Sequence, residues 1–348
     1  MRFLSRLVPL CAFLAALWPW QPVRAQDLPR FPVQPGRIFV AGISSGGYMA
    51  VQMHVAFSEL FKGAAIYAGG PDDCAQGSVF VAVTTCLSDV PPVSLDVLTA
   101  TVRSWAASGL IDPLANLRRQ PVYLWSGRLD TTVRQPLMDA LARQYRALGA
   151  DVFRYDNKFE AEHGWESPYG PLPCGTAASP YVIACAQGPG NTRYDSEKVW
   201  LGRFLGPLAA KNEGPLRGKL LSFDQNRFAP GGSAAAISMD GTGYAFVPES
   251  CAAGRTCGLL LALHGCLQSR SAVGQAFVNG AGLNQWADTN NLVVLYPQTV
   301  ATIGVNPQGC WDWWGYLNDP DYAQRTGPQM QTLRRMVRQA AGMRRQPL

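Results

Sequence analysis

Histidine is scarce in this sequence, which contains only His54, His163 and His264. No Cys-x-x-Cys pair occurs, and the histidines lie apart from the cysteines, so the spacing argues against a zinc site. Lysine and arginine form no block longer than a pair, which argues against a nucleic-acid surface. Internal repeats and low-complexity tracts are also missing. Any reaction that needs an imidazole base must therefore use one of three residues.

Long apolar runs are missing too, except at the N-terminus. Residues 1–25 combine Arg2 and Arg6 with an apolar stretch at 7–20, which is shorter than the roughly 20 residues needed to span a bilayer. The stretch ends in Val23-Arg24-Ala25, a small-residue cleavage pattern. We therefore predict a secretory signal that is cleaved after Ala25 and no membrane anchor. The protein is expected in the periplasm or outside the cell.

The charge balance of the exported chain is small. Cleavage removes Arg2, Arg6 and Arg24, so the formal net charge falls from +6 to +3. This excess is scattered and favours no strongly charged partner. No nucleic acid is expected to bind.

Eight cysteines remain after cleavage, an even number that in an exported chain favours disulfides. Eight cysteines allow 105 pairings, and sequence alone does not choose among them. The spacing suggests local loops, and the pairs we predict are Cys74 with Cys86, Cys174 with Cys185, Cys251 with Cys257, and Cys266 with Cys310.

Strand and helix patterns alternate along the rest of the chain. Apolar runs bounded by Gly, Pro and Asn indicate strands at 36–42, 63–70, 121–127, 151–156, 243–250, 257–265 and 291–298. Apolar residues at helical spacing indicate helices at 46–61, 135–150 and 329–341. This alternation predicts an α/β fold with a mostly parallel central sheet and flanking helices. The Gly- and Pro-containing stretch 206–235 is the expected seam between the halves 26–205 and 236–348.

Residues 42–46, Gly-Ile-Ser-Ser-Gly, match the Gly-x-Ser-x-Gly nucleophile elbow. A predicted strand precedes the motif and a predicted helix follows it, which is the context the elbow requires. The glycines leave room for the tight turn from which Ser44 projects. Ser45 does not fit as the nucleophile, because Ile43 would occupy its leading glycine position. The motif therefore predicts Ser44 as the nucleophile.

A serine nucleophile needs a general base, and His163 is the predicted one. It follows a strand by a loop, as the triad histidine does in α/β-hydrolases. His54 lies about 15 Å along the helix from Ser44, at 1.5 Å per residue, and is interpreted as a packed or surface helix residue. His264 ends a strand and precedes Gly265, a pattern that resembles the oxyanion loop of esterases.

Asp130 is the predicted acid that orients the base. It lies just past a strand end and between the serine and the histidine in chain order, where such folds carry the third triad member. Asp112 and Asp139 are weaker candidates, because the first precedes a proline in a turn and the second lies inside an amphipathic helix. The expected oxyanion donors are the backbone N–H groups of Ser45 and Cys266.

The order of these parts along the chain is unusual. The oxyanion loop ordinarily comes first, followed by serine, acid and histidine, whereas here Cys266 follows all three. Residues 26–41 are all that precede the elbow after cleavage, which leaves no room for the strands that normally come before it. This order predicts a circular permutation, with the strands at 257–265 and 291–298 moved to the far end. One interleaved domain, residues 26–348, follows from it.

Five stretches together resemble the single-domain, circularly permuted poly(3-hydroxybutyrate) depolymerases. They are GISSGGYMA, SGRLDTTV, AEHGW, LHGCLQS and NPQGCWDWWGY, and they span nearly the whole exported chain. The resemblance implies an α/β-hydrolase fold, with Ser44, Asp130 and His163 as the triad. It also implies the amides of Ser45 and Cys266 as the oxyanion hole.

The substrate prediction rests on Trp311, Trp313 and Trp314, which offer an aromatic wall to an apolar polyester chain. Core packing is the alternative for at least one of them. A disulfide between Cys266 and Cys310 would bring these tryptophans near the scissile ester. The sequence contains no Thr- or Pro-rich linker and no separate binding module, which favours amorphous polymer or soluble oligomers over crystalline granules.

These observations predict an exported, monomeric serine esterase that hydrolyses poly(3-hydroxybutyrate) or its oligomers through an acyl-enzyme. No metal and no organic cofactor are expected. One alternative is a feruloyl- or acetylxylan-type carbohydrate esterase with the same fold. Another is a non-catalytic polymer-binding protein that retains a relic of the elbow.

Overall fold

The structure, a computed structural model, describes residues 26–188, 190 and 192–344. The predicted signal segment, residues 1–25, lies outside these ranges. None of the helices within them combines the length and the apolar character that crossing a membrane requires.

The strands, in chain order, are β1 (Val33–Ile43), β2 (Ala64–Tyr67), β3 (Pro121–Trp125), β4 (Asp151–Asp156), β5 (Trp165–Glu166), β6 (Leu172–Pro173), β7 (Val182–Ala184), β8 (Ala186–Gln187), β9 (Thr192–Arg193), β10 (Lys219–Asp224), β11 (Thr242–Val247), β12 (Cys257–Leu263) and β13 (Leu292–Tyr296). The α-helices are α1 (Ser45–Ala56), α2 (Val79–Val83), α3 (Thr85–Ser88), α4 (Leu95–Ala107), α5 (Gln135–Ala147), α6 (Ser196–Leu205), α7 (Glu249–Ala252), α8 (Arg270–Val273), α9 (Ala276–Gly280), α10 (Leu283–Asn290) and α11 (Pro328–Ala340). Short 3-10 turns lie at Leu114–Leu117, Pro230–Gly232 and Ala235–Ile237.

Eight of these strands form the central sheet, in the order β10-β11-β13-β12-β1-β2-β3-β4. Strand β11 pairs antiparallel with both of its neighbours, and the other pairs are parallel. The prediction of a mostly parallel α/β sheet is therefore confirmed. Strands β1 to β4 form one side of the sheet and β10 to β13 the other, and the two sides meet where β1 pairs with β12.

The core lies on both faces of this sheet. Along β1 the side chains of Ile38 and Val40 join one apolar cluster, and those of Phe39, Ala41 and Ile43 join the other. This alternation is the period of two that a strand imposes. Helices α1, α5 and α11 contribute to the first cluster, and α6 and α10 contribute to the second. A sheet covered on both faces explains why its parallel strands read as nearly continuous apolar runs.

The stretch 206–235 contains a strand of the sheet rather than a plain seam. Strand β10 (Lys219–Asp224) forms the edge of the central sheet and pairs with the whole of β11, from Lys219 opposite Val247 to Asp224 opposite Thr242. The flanking Gly and Pro residues mark turns. Because these turn residues flank it closely, the short apolar run of β10 was not predicted to be a strand.

The helix predicted at 46–61 ends at Ala56, because the backbone of Phe57 leaves the helical region at φ −121° and ψ 46°. The chain then makes tight turns, in which the N–H groups of Leu60 and Phe61 donate to the Phe57 carbonyl. These turns return the chain to β2. Helices α4, α6 and α10 were not among the sequence predictions; each covers the sheet or an adjoining loop.

The pairing of β1 with β12 joins the two halves of the chain, so neither residues 26–205 nor residues 236–348 should fold alone. Both strands are central and buried, and separating the halves would leave each with an exposed, unpaired apolar edge. Thermal melts followed by circular dichroism should show no cooperative transition for either fragment. Co-expression of residues 26–205 with residues 206–348, which keep β10 paired with β11, is the control and should restore a cooperative transition. A cooperative melt from one fragment alone would contradict the interleaved single domain.

Candidate active site

Ser44 occupies a strained turn between the end of β1 and the start of α1. Its backbone has φ 57° and ψ −124°, a positive φ that non-glycine residues rarely adopt. A Cβ at Gly42 would collide with the carbonyl of Gly46, and a Cβ at Gly46 would collide with the carbonyl of His264. The two glycines are therefore required by close backbone contacts. The turn leaves the Ser44 side chain partly exposed.

His163 and Asp130 form a buried hydrogen-bonded pair. The Nδ1 atom of His163 lies 2.9 Å from Oδ2 of Asp130. The other carboxylate oxygen, Oδ1, accepts the backbone N–H groups of Thr132 at 2.9 Å and Val133 at 2.8 Å. A carboxylate held in this way requires Nδ1 to donate, which leaves Nε2 of the neutral ring as a proton acceptor. This is the arrangement that the predicted roles of His163 and Asp130 require.

Glu162 fixes the loops that carry this pair. Its Oε2 atom accepts the backbone N–H of His163 at 3.0 Å and that of Thr131 at 3.2 Å. Its Oε1 atom accepts the Thr131 hydroxyl at 3.0 Å. One side chain thus ties the loop after β3 to the loop after β4. The sequence analysis did not identify this residue.

Ser44 and His163 line the same cavity, whose volume is about 300 Å³. The other residues around it include apolar side chains from 82–87 and the loop at 265–268. The described lining comprises Ser44, Ser45, Tyr48, Ala82, Val83, Leu87, Thr132, His163, Tyr181, Gly265, Cys266, Leu267, Gln268, Gln308, Cys310, Trp313 and Trp314. The structure therefore brings the predicted nucleophile and base to one apolar cavity, with Asp130 behind the base.

The two predicted oxyanion donors flank Ser44. Ser45 is the first residue of α1, so its N–H has no acceptor within the helix. The helix N-terminus adds a partial positive charge at this point. The loop that carries Cys266 passes close by, because a Cβ on Gly265 would lie 3.0 Å from Cβ of Ser44. Both residues line the cavity.

Four disulfides link the eight cysteines in the pairs that the sequence analysis predicts. They are Cys74 with Cys86, Cys174 with Cys185, Cys251 with Cys257, and Cys266 with Cys310. The last one spans 44 residues of sequence and joins the loop after β12 to the tryptophan-rich loop. It brings the residues that follow Cys310 to the cavity.

The three tryptophans of this loop have different environments. Trp313 and Trp314 line the cavity and meet edge to face, with ring centroids 5.2 Å apart. Trp313 also stacks on Tyr48, with centroids 4.2 Å apart. Trp311 is fully buried in the core, and its indole N–H donates to the His264 carbonyl at 2.9 Å. Trp311 therefore supports the loop at 264–266, and its predicted place in an aromatic wall is corrected to core packing.

The two remaining histidines are buried and neutral. His54 lies between Tyr145 Oη at 3.1 Å and Gln120 Oε1 at 2.8 Å, and burial lowers its pKa to about 4. The interpretation of His54 as a packed helix residue agrees with this environment. Burial also lowers the pKa of His264 to about 4. Its Nδ1 lies 2.7 Å from the Gly265 carbonyl, inside the loop that carries Cys266.

Sequence reasoning missed several residues of the cavity. Tyr48 follows Ser44 by four residues on α1, so helical periodicity was a usable signal for it. Leu87 comes from the short helix α3 and Tyr181 from the loop before β7, and no local pattern marks either residue. The same holds for Gln308.

Comparisons with known proteins were made for the whole chain. It is 40% identical over 319 residues to a poly(3-hydroxybutyrate) depolymerase of Delftia acidovorans, a match that covers 90% of this chain and 61% of that protein. It is 39% identical over 345 residues to a polyhydroxybutyrate depolymerase of Talaromyces funiculosus, covering 94% of this chain and 96% of that protein. The chain thus spans about three fifths of the first relative and nearly all of the second. No protein-family model matches it.

Two solved structures are similar over 92% of this chain and the whole of theirs. One is a serine-to-alanine variant of a PHB depolymerase complexed with an R3HB trimer, with a TM-score of 0.81 and 36% identity. The other is a PHB depolymerase from Penicillium funiculosum, with a TM-score of 0.80 and 37% identity. These similarities support the α/β-hydrolase fold.

Two buried carboxyl groups, Glu166 and Glu197, lie in or against the strand that follows His163, β5. The side chains of Glu166 and Glu197 are fully buried, and one oxygen of each has no hydrogen-bond partner within the described part of the chain. Oε2 of Glu166 accepts the Ser196 N–H at 3.2 Å, and Oε1 of Glu197 accepts the Trp165 indole N–H at 2.8 Å. Burial raises the pKa of Glu166 to about 8. Burial, together with the nearby Glu166, raises the pKa of Glu197 well above its ordinary range.

Glu166→Gln should flatten the dependence of thermal stability on pH. Glu166 binds its proton more tightly in the folded chain than in the unfolded chain. Its contribution to the free energy of unfolding is therefore fully present below pH 4.5 and is lost as the pH rises to about 8. An amide does not ionise, so the Tm of the variant should fall less across this window. The expected difference is roughly 2–4 °C for each kcal/mol of penalty removed. Thermal melts across the window measure it.

Glu213→Gln is the matched control, because that side chain is 75% exposed. It should keep the wild-type slope of Tm against pH. Parallel curves of Tm against pH for the wild type and Glu166→Gln would contradict the prediction. They would show that ionisation of Glu166 costs no free energy in the folded state.

Proposed function

Because this chain belongs to the poly(3-hydroxybutyrate) depolymerase family, we propose that it is an exported serine esterase that hydrolyses poly(3-hydroxybutyrate) or its oligomers. The observation that carries the proposal is the opening of Ser44 and His163 onto one apolar cavity, with Asp130 bonded to the far nitrogen of the histidine. The reaction class is acyl transfer to serine and then to water.

In this proposal Ser44, His163 and Asp130 act as a catalytic triad. Nε2 of His163 takes the proton of the Ser44 hydroxyl as its oxygen attacks the ester carbonyl. The same proton then passes to the leaving alcohol, which completes the acyl-enzyme. Water, deprotonated by His163, attacks the acyl carbon. The bond from that carbon to Ser44 Oγ breaks, the imidazolium returns its proton to Oγ, and the acid is released. Asp130 holds Nδ1 protonated and stabilises the imidazolium that forms in each step.

The amides of Ser45 and Cys266 form the oxyanion hole in this mechanism. Their position beside Ser44 and on the cavity wall supports the role. Backbone donors of this kind stabilise the tetrahedral intermediate because they are oriented before its negative charge develops. The disulfide of Cys266 with Cys310 restrains this loop.

Trp313 and Trp314 are the proposed contacts to the polyester. They present apolar ring surface to the cavity that Ser44 and His163 share. The small methyl-bearing repeat of 3-hydroxybutyrate suits such a wall, because large rigid rings bury apolar area with little loss of side-chain entropy. The similar solved structure that holds an R3HB trimer supports an ester oligomer as the ligand.

The circular permutation is part of the same proposal. Strands β12 and β13 come late in the chain and lie between β11 and β1 in the sheet. They stand where the strands that precede the elbow are expected in an unpermuted hydrolase. One domain over residues 26–348, acting as a monomer, follows from this interpretation. Cleavage after Ala25 and export complete it, and the four disulfides support an oxidising compartment.

Incubation with amorphous poly(3-hydroxybutyrate) should release 3-hydroxybutyrate or its short oligomers. Soluble 3-hydroxybutyrate oligomers should be cleaved as well, and chromatography of the products measures both reactions. The Ser44→Ala variant is the control and should release none. Release of ferulate or acetate from a carbohydrate ester, with no 3-hydroxybutyrate, would instead identify a carbohydrate esterase. Binding of polymer without any hydrolysis would identify a binding protein.

Substitution of the triad should remove turnover almost completely. Ser44→Ala and His163→Ala should each lower kcat by about 10⁶-fold, with little additivity between them. Asp130→Asn should cost less, on the order of 10⁴-fold, because it keeps the nucleophile and base but favours the wrong tautomer. Steady-state kinetics on a soluble ester measure these losses.

Asp139→Asn is the matched control for Asp130→Asn. Its carboxylate accepts only the Tyr155 hydroxyl, on an exposed helix face, and the change should leave kcat unaltered. An active His163→Ala variant together with an inactive His264→Ala variant would overturn the assignment of the base.

A further inference from the structure

Gln268 joins two loops of the cavity through a single buried side chain. Its Oε1 atom accepts the backbone N–H of Gly265 at 2.6 Å. Its Nε2 atom donates to the carbonyl of Pro180 at 2.8 Å and to that of Tyr181 at 2.9 Å. The residue is only 2% exposed, so water does not compete for these bonds. The amide thus makes one bond to the oxyanion loop and two bonds to the loop before β7.

The second loop is itself tied to the strand that follows His163. The Tyr181 carbonyl that accepts from Gln268 also accepts the backbone N–H of Trp165, at 2.8 Å. Trp165 lies two residues after His163 and begins β5. A continuous path of hydrogen bonds therefore runs from Gly265, through Gln268 and Tyr181, to the segment that carries His163.

We propose that Gln268 is a positioning residue that sets the amide of Cys266 at a defined distance and orientation from His163. The inference rests on the proposed function, since it concerns the oxyanion hole of that reaction. The Gly265 N–H and the Cys266 N–H are consecutive along the backbone. Anchoring the first on Oε1 of Gln268 restricts rotation of the peptide that carries the second.

Only an uncharged amide of this length fits the position. It must accept from one N–H and donate to two carbonyls, which glutamine does from a single planar group. A carboxylate would face two carbonyl oxygens without a proton to donate. An apolar side chain would leave the Gly265 N–H and the Pro180 carbonyl without these bonds, and the Tyr181 carbonyl would keep only the N–H of Trp165. The fit is also tight, because a Cβ on Gly265 would lie 2.8 Å from Oε1 of Gln268.

The expected consequence is on the chemical step rather than on binding. Loss of an oxyanion donor costs roughly 10²–10³-fold in kcat, and a donor that is displaced rather than removed costs less. Gln268→Met keeps the volume and removes the three hydrogen bonds. It should lower kcat by roughly 10–100-fold on this scale, with KM nearly unchanged.

Gln225 provides a matched control elsewhere in the fold. It is also fully buried, its Oε1 accepts the N–H of Gln298 at 2.9 Å, and its Nε2 donates to the carbonyls of Gln298 and Asp240. The described lining of the cavity does not include it. Gln225→Met should lower Tm about as much as Gln268→Met and leave kcat at the wild-type value.

The test measures kcat and KM for p-nitrophenyl butyrate with both variants, together with Tm. A selective fall in kcat for Gln268→Met supports the proposal. An unchanged kcat in folded Gln268→Met, or a loss of the same size in Gln225→Met, overturns it.

Gln268→Glu keeps the proposal testable if Gln268→Met does not fold. A protonated glutamate accepts from Gly265 and donates to one carbonyl, whereas its carboxylate cannot donate. The ratio of kcat in this variant to wild-type kcat, taken at the same pH, should be highest in acid and fall as the pH rises. A ratio that is independent of pH overturns the proposal.

The rate at which a fluorophosphonate labels Ser44 separates this inference from the proposed substrate. Phosphonylation uses the nucleophile, the base and the oxyanion hole but no particular ester. Gln268→Met should be labelled roughly 10–100-fold more slowly than the wild type, even if the wild type releases no 3-hydroxybutyrate from polymer. Equal labelling rates overturn the positioning role, and they do so whatever the natural ester is.

Discussion

The pairing of β1 with β12 is the constraint on which the rest of the site depends. The two strands are parallel, and their register sets Gly42 opposite Leu263, the last residue of β12. Both strands therefore end at the same edge of the sheet, and the turn at Ser44 meets the loop at Gly265. On the other side, the N–H of Ser44 donates to the Tyr67 carbonyl at the end of β2, at 3.0 Å. A slip of one residue would separate Ser44 from the loop that carries Gly265 and Cys266.

The other side chains of the proposed triad lie at this edge because parallel strands all present their carboxyl ends to it. Asp130 follows β3 and His163 follows β4, and neither is held there by a surface ion pair. Glu162 and Gln268 make hydrogen bonds to backbone groups of neighbouring loops, and the disulfide of Cys266 with Cys310 adds a covalent link. The bond of Gln268 to Gly265 is buried, so it is little screened by salt and holds its geometry in place.

Residues of the same type have different contacts and different pKa values in this fold because they are buried to different depths. Trp311 packs in the core and donates to a backbone carbonyl, whereas Trp313 presents its ring to the cavity. Glu162 keeps its carboxylate partly exposed and accepts hydrogen bonds, while Glu166 is buried deeply enough that burial raises its pKa to about 8. The ionisation of Glu166 thus carries a stability cost that grows with pH.

The sequence by itself determined the α/β class, the elbow at Ser44 and the chain positions of Asp130 and His163. These features are local, because a strand followed by a tight Gly-x-Ser-x-Gly turn and a helix is encoded within a few residues. Spacing favoured the four cysteine pairs that the structure contains, although it did not exclude the other pairings. The circular permutation stays a prediction from the order of the parts along the chain.

Only the tertiary structure decided the partners of those residues. The edge strand β10 pairs with the whole of β11, and the cavity takes Leu87 from the short helix α3 and Tyr181 from a loop, neither of which carries a pattern of its own. The bridging role of Gln268 was equally invisible, because its three hydrogen-bond partners come from positions 3 and 87–88 residues away. Sequence periodicity reports which face of an element is buried, whereas a contact between distant loops is set by how the packed sheet brings their ends together.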